Sequence, residues 1–291
     1  MPFWFLVSLS VAFAAASEVA VAKRFFGSMS PLHMTAVPML YSLPISFGML
    51  LLLPWPNEIP AQFWYTLVIL LPFNTAGFIC HMASVNLSPL SLTMPFLSFT
   101  PAVVILTGYL FLGETVSNAG VAGIGLIVAG SYIINLNTLR RDDLLAPFRA
   151  ILQEQGSRLM LIAAVLYGLC VVLGKKMVTL SSPVFSGTIF FASFALCVLS
   201  ALRLSGRIRF APLLHRPLAG FLVAGVSFVQ VLLHMWAVSL VQTAYMVSVK
   251  RLSGLFSVGF GALVFHETNI AMRLAGAGVM FAGAVLISLW G

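Results

Sequence analysis

The sequence predicts an all-α integral membrane protein whose ten transmembrane helices form two inverted five-helix repeats. Three observations carry this prediction. Of the 291 residues, 60% are apolar and only 8% are charged, against about 25% charged in soluble domains. The apolar residues fall into ten runs of membrane-spanning length. Residues 81–115 also align without a gap on residues 234–268. A water-soluble fold of this size must hydrate its surface, and this composition leaves too little polar surface to do so. The 24 phenylalanines suit lipid-facing or cavity-lining positions.

A bilayer core about 30 Å thick takes roughly 20 apolar helical residues to cross. The runs are 3–26, 33–53, 62–84, 90–112, 118–136, 158–178, 184–204, 218–240, 244–265 and 270–290. Residues 1–26 lack the basic start of a cleaved leader, and their run is long, so they read as a retained first helix. Pro54-Trp55-Pro56 closes the second run, Ser88-Pro89 opens the fourth and Ser182-Pro183 opens the seventh. Arg216-Pro217 precedes the eighth. Between the halves lies the longest polar stretch, 137–157. There Leu144, Leu145, Phe148, Ile151 and Leu152 recur at helical spacing, which predicts a short amphipathic helix on the membrane surface. The domain plan is a first repeat over 1–136, a surface linker over 137–157 and a second repeat over 158–291.

The repeat is read residue by residue. His81-Met82 pairs with His234-Met235, and Glu114-Thr115 pairs with Glu267-Thr268. Gly123, Gly125, Ala129 and Gly130 pair with Gly276, Gly278, Ala282 and Gly283. At an offset one shorter, Lys23-Arg24 and Pro31 pair with Lys175-Lys176 and Pro183. An odd number of helices per repeat inverts the second repeat relative to the first, a design in which the binding site lies near the midplane between the halves. The paired glycines, seven residues apart, read as close-packing faces within the protomer or in a homodimer.

The formal charge is +8, but the cations sit between apolar runs rather than along a soluble basic stripe, which excludes nucleic acid as a partner. The expected partners are membrane lipids and a small-molecule substrate. Lys23, Arg24, Arg140, Arg141, Arg149, Arg158, Arg203, Arg207, Arg209, Arg216 and Arg273 collect on one side, and Lys175 and Lys176 on the other. The positive-inside rule makes the first side cytoplasmic and turns both termini outward. The short loops suit a multi-pass protein of a bacterial inner membrane.

The stretch from Pro95 to Leu136 reads PFLSFTPAVVILTGYLFLGETVSNAGVAGIGLIVAGSYIINL. It resembles the end of an EamA-type repeat, in which an apolar helix closes on Gly-Glu before a glycine-rich helix. Tyr245 to Leu289 has the same shape, with Phe265-His266-Glu267 at the corner. The chain thus resembles, over nearly its full length, the drug/metabolite transporter superfamily in its ten-helix, two-repeat form. The resemblance implies transport of a small solute. It also implies a cavity lined by helices one to four and six to nine, with helices five and ten at the periphery. Several relatives have cytoplasmic termini, the opposite of the charge count. Lys250-Arg251 resembles the Lys-Arg pair of the superfamily's sugar-phosphate translocators, where it holds the substrate's anionic group.

Read from the residues alone, Lys250 and Arg251 lie about 10 Å into the ninth run at 1.5 Å per residue. Charges at that depth face protein or water. Their counterparts in the first repeat are Leu97 and Ser98, so the pair is not part of the shared scaffold. One reading is an anion site, with an Arg fork and a Lys point charge. The other is snorkelling, or pairing with a helix carboxylate. Glu18 is the acid deep inside an apolar run, and it suits either proton coupling or a counter-ion role to the basic pair. His81 shares a helix face with Asn74, and His234 shares one with Gln230; these faces line a polar cavity or fix helix packing. Glu114 and Glu267, repeated at helix ends, suit a scaffold or gate. Tyr41, Tyr245 and Trp236 are candidate cavity aromatics.

Cys80, Cys170 and Cys197 lie inside apolar runs without ligand spacing and read as small buried hydrophobes. Catalytic motifs, metal clusters and cofactor signatures are not seen, so an enzyme is not expected. The leading expectation is a secondary transporter of a small organic metabolite by alternating access, with an anionic substrate group. The alternatives are an exporter of neutral or zwitterionic compounds such as amino acids or drugs, an intramembrane enzyme acting on a lipid, and a receptor or assembly subunit. The charge count makes one prediction at once. Alkaline phosphatase fused after Gly291 should be active in a bacterial host; activity only from a fused cytoplasmic reporter would reverse the orientation.

Overall fold

The computed structural model describes residues 2–88, 96–136, 154–265 and 271–291. The described residues are all helix apart from their connections. The helices are α1 Phe3–Phe26, α2 Pro31–Leu52, α3 Ala61–Leu87, α4 Thr100–Leu112, α5 Asn118–Leu136, α6 Gln155–Leu180, α7 Pro183–Leu204, α8 Pro217–Leu240, α9 Thr243–Lys250, α10 Ser253–Phe265 and α11 Ala271–Trp290. A short 3-10 turn, Ala211–Leu214, precedes α8. Six of these helices, α1 to α3 and α6 to α8, are long and apolar enough to cross a membrane, and α4, α5 and α11 are shorter apolar helices. α9 and α10 both fall on the ninth apolar run.

Helix ends repeat as the sequence does. α2 and α7 start and end at an offset of 152, and α3 and α8 end at Leu87 and Leu240. α4 and α10 are both 13 residues long, and start at Thr100 and Ser253. Local chemistry repeats as well. Ser30 accepts a hydrogen bond from the His33 amide at the start of α2, as Ser182 does from the Phe185 amide at the start of α7, and each serine precedes a proline at the first helical position. Such a cap satisfies one of the orphan amides there, and the proline has no amide to orphan.

Two expectations need correction. The ninth run, expected to be continuous over 244–265, is two helices with a turn at Arg251 and Leu252. The fourth run has a matching turn at Ser98 and Phe99, 153 residues earlier. The aligned pair Pro101 and Gly254 explains the break, because proline prefers a helix's first turn and glycine weakens helix. Of the expected surface helix over 137–157, residues 137–153 lie outside the described residues, and Gln155 already begins α6.

The repeats interlock rather than standing side by side. α5 packs along α11, α3 along α6, α1 along α8 and α2 along α7, while α1 has little contact with α2. The α5–α11 seam needs glycine. A Cβ on Gly123 would lie 2.8 Å from the Gly283 carbonyl oxygen, and one on Gly130 would lie 2.6 Å from that of Gly276. The seven-residue glycine faces are therefore spent within the protomer.

At the end of the bundle holding Phe3 and Trp290, Gly113 closes α4 with a left-handed φ of 66°, a conformation costly to other residues. The turn throws Glu114 across the repeat boundary. Its Oε1 accepts from Lys175 Nζ at 2.5 Å and from the Thr243 hydroxyl at 3.1 Å, and its Oε2 accepts from the Thr243 amide at 2.8 Å. Lys175 also donates to the Val241 carbonyl at 2.6 Å. One carboxylate thus joins α4 to α6 and caps α9, where the helix dipole favours negative charge. An open groove of 450 Å³ lies beside it, lined by Gly113, Glu114, Lys175, Ser239 and Gln242.

The glycine seam predicts that Gly123→Leu or Gly283→Leu lowers stability by about 1–3 kcal/mol through overpacking. Gly278→Ala, where a Cβ meets nothing within 4 Å, should leave it unchanged. Thermal unfolding in detergent checks this, and equal melting of all three would remove the seam from the account.

Candidate functional site: a basic pair at a helix break

Regular helix ends at Lys250, and Arg251 begins the tightened turn. The turn closes on itself with short-range bonds: Arg251 N to Ser248 O at 3.0 Å, Leu252 N to Val249 O at 2.9 Å and Gly254 N to Arg251 O at 3.1 Å. Its backbone amides are therefore occupied, and the chemistry of the break falls to its side chains. Adjacent residues diverge by about 100° around a helix, so the two cations face different neighbours.

Lys250 meets the second repeat's α8 and the first repeat's α1. Its Nζ lies 3.3 Å from His234 Nδ1, and Glu18 of α1 is within electrostatic reach. The Glu18 carboxyl in turn faces the Ser227 hydroxyl. An ammonium can only donate, so His234 Nδ1 must accept and the imidazole proton sits on Nε2. Arg251 faces the other way, toward α3 and α6. His81 lies within reach of its charge, as does Tyr167. The Tyr167 hydroxyl is 3.5 Å from His81 Nδ1, and the two rings stand edge-to-face at 6.1 Å. A Cβ on Gly77 would come within 3.1 Å of the Tyr167 ring, so the absent side chain at Gly77 is what admits that ring.

Glu18, His81, Tyr167, His234, Lys250 and Arg251 are all half-buried. They come from α1 and α3 of the first repeat and from α6, α8 and the end of α9 of the second, and keep some accessible surface. The buried Nε of Arg251 has no hydrogen-bond partner. An orphan guanidinium donor costs free energy unless something accepts from it.

The structure brings together Lys250, Arg251, His81, His234 and Glu18. Gln230 is buried one turn before His234 on α8, and Asn74 is half-buried two turns before His81 on α3. The other candidates lie elsewhere. Tyr245 is 2% exposed, and its hydroxyl accepts from the Ser117 amide at 2.9 Å, tying α9 to the start of α5. Tyr41 donates to the Leu213 carbonyl at 3.2 Å and packs on Phe221 of α8. Trp236 is exposed, edge-on to Phe3. Glu114 belongs to the tie at the end of the bundle, and Glu267 lies outside the described residues. Among the described residues no cluster of His, Cys, Asp and Glu could hold a metal.

Two neighbours of the site escape sequence reasoning. Ser227 could have been found, because it aligns with Asn74 at the offset that pairs His234 with His81. The repeated polar face is therefore Asn74 and His81 in one half, Ser227 and His234 in the other. Tyr167 aligns with Ala15 and carries no such signal.

No curated protein matches the sequence. Among solved structures, 29 chains match. One, described only as the crystal structure of a protein, has a TM-score of 0.73 and 15% identity over 98% of this chain and 97% of its own; at that identity the likeness concerns the fold. Residues 2–136 match the EamA-like transporter family. That span is the five-helix unit whose features recur in the second half of the molecule, and over it this multi-pass membrane protein is similar to the EamA-like transporters.

Proposed function

We propose that the chain is a secondary transporter that moves a small organic metabolite by alternating access, with an anionic group on the substrate held at the Lys250-Arg251 turn. The observation that carries this reading is the composition of the site. Cations from one broken helix meet His81 of the first repeat and His234 of the second. A solute bound there touches both halves, so a rearrangement of one half against the other changes the face to which it is exposed. Glu18 is the counter-ion to Lys250 and a candidate proton carrier for coupling. The site lies away from either end of the bundle, where an enzyme acting on lipid headgroups would be expected to work. The inner membrane of a bacterium is the proposed location.

The Glu114 tie is proposed as the closure of the Phe3 end. It holds α4 of the first repeat to α6 and α9 of the second through one carboxylate, and such a closure must part when that end opens. Exporters of zwitterions such as amino acids remain a second reading, favoured by Glu18, which could hold an ammonium.

Reconstitution tests the proposal. Proteoliposomes should take up organic anions saturably, faster with an imposed pH gradient. In a protein with Cys80, Cys170 and Cys197 replaced by alanine, Glu114→Cys with Thr243→Cys provides a clamp across the closed end. A reducible bifunctional thiol reagent should stop uptake, and reduction should restore it. Binding without uptake would indicate a receptor, and uptake untouched by the clamp would remove the gate.

A further inference from the structure

Not all of the basic pair is available to a substrate. Lys250 already has two neighbours, the His234 ring nitrogen 3.3 Å away and the Glu18 carboxyl across from it. Glu18 is the carboxyl group inside a described span. The other described acids, Glu58, Glu114 and Glu154, lie outside the helices. In a low-dielectric interior a carboxyl and an amine facing each other are held most cheaply as a neutral unit, because an unbalanced buried charge costs several kcal/mol. The Arg251 side faces neutral groups, His81 and Tyr167, and no carboxylate pairs with it among the described residues. Its Nε is buried without an acceptor. The histidines add no charge to the count. His234 must be neutral to accept from Lys250, and His81, opposite Arg251, has no described carboxylate to offset a second cation.

We propose that Arg251 alone anchors the anionic group, that Glu18 offsets Lys250, and that the site therefore selects solutes with one net negative charge, taking monocarboxylates ahead of dicarboxylates and phosphate monoesters. This rests on the anion-transport reading above and deepens it. A planar guanidinium meets a carboxylate with two parallel hydrogen bonds, and the orphan Nε with one terminal nitrogen supplies such a fork. A dianion brings a second charge to a region whose remaining groups, Tyr167, His81 and His234, cannot neutralise it. Glu18 then acts as a selectivity residue: by offsetting Lys250 it sets the site charge at one rather than two.

The test is ligand-dependent thermal stabilisation of the purified full-length protein, with pyruvate, benzoate, succinate, glycerol 3-phosphate and leucine as probes at neutral pH. The wild type should respond to pyruvate or benzoate at concentrations about tenfold or more below those needed for succinate or glycerol 3-phosphate. Glu18→Gln leaves Lys250 unbalanced and should shift the preference toward the dianions by about tenfold or more. Glu18→Gln with Lys250→Met restores a single cation and should return the preference to the monoanions. Arg251→Met should abolish every anion response, and Arg251→Lys should recover part of it, which separates lost binding from misfolding. Preference for a dianion in the wild type, or an unchanged order in Glu18→Gln, overturns the charge count while leaving anion binding intact. Leucine binding more tightly than either monoanion also overturns it and favours the zwitterion reading. No response to any anion defeats the anion reading itself, and this inference with it.

Discussion

A cation in the middle of a bilayer costs about 3 kcal/mol even by the mildest measures, and more when it has no water or protein partner. That cost governs this molecule. It carries 15 basic residues, and among the described ones Lys250 and Arg251 are the two that stand inside a span remote from either end. Those two have neighbours on α1, α3, α6 and α8. The interlocked packing of the halves follows naturally, because neither repeat alone surrounds the turn that bears the pair.

The break in the ninth span falls where two adjacent charges are held on different neighbours. Consecutive residues on a regular helix already point about 100° apart. Here the regular helix ends at Lys250 and a tighter turn takes over at Arg251. One side chain is left with an acid and an imidazole, and the other with an imidazole and a phenol. The first repeat has the same break without the charges, at Ser98 and Phe99. The bend therefore belongs to the common scaffold, and the basic pair is a substitution made on it. The tie at Glu114 shows the same division. Glu114 has a counterpart in Glu267 of the second repeat, while its contacts with Lys175 and Thr243 span the two halves.

Much of this was legible in the sequence because membrane spans obey simple rules. Lipid length fixes the runs, and proline and serine mark their starts, so Pro31 and Pro183 begin α2 and α7 where the repeat register requires. The basic pair stood out because charge inside an apolar run has few explanations. The break did not stand out, since hydropathy is blind to a turn that remains apolar, although Pro101 aligned with Gly254 carried the information. Aromatic side chains were the least legible. Tyr245, Tyr41 and Trp236 resemble one another as letters, yet two are packed into helix contacts and one faces outward. Tyr167 reached the site through a gap left by Gly77, a relation between distant segments that no local pattern records.

The central claim is that one interior turn, bearing one available cation, is reached in alternation from the two faces of the membrane. Ser253, the first residue of α10 and half-buried, lies just past the basic pair. In a protein with the native cysteines replaced by alanine, Ser253→Cys can be probed with a membrane-impermeant thiol reagent in sealed vesicles of each orientation. The account predicts labelling from both faces, with the rate on either face altered by a transported anion and unaffected by solutes that are not carried. Labelling from one face only under every condition, or indifference to anions on both, would contradict it.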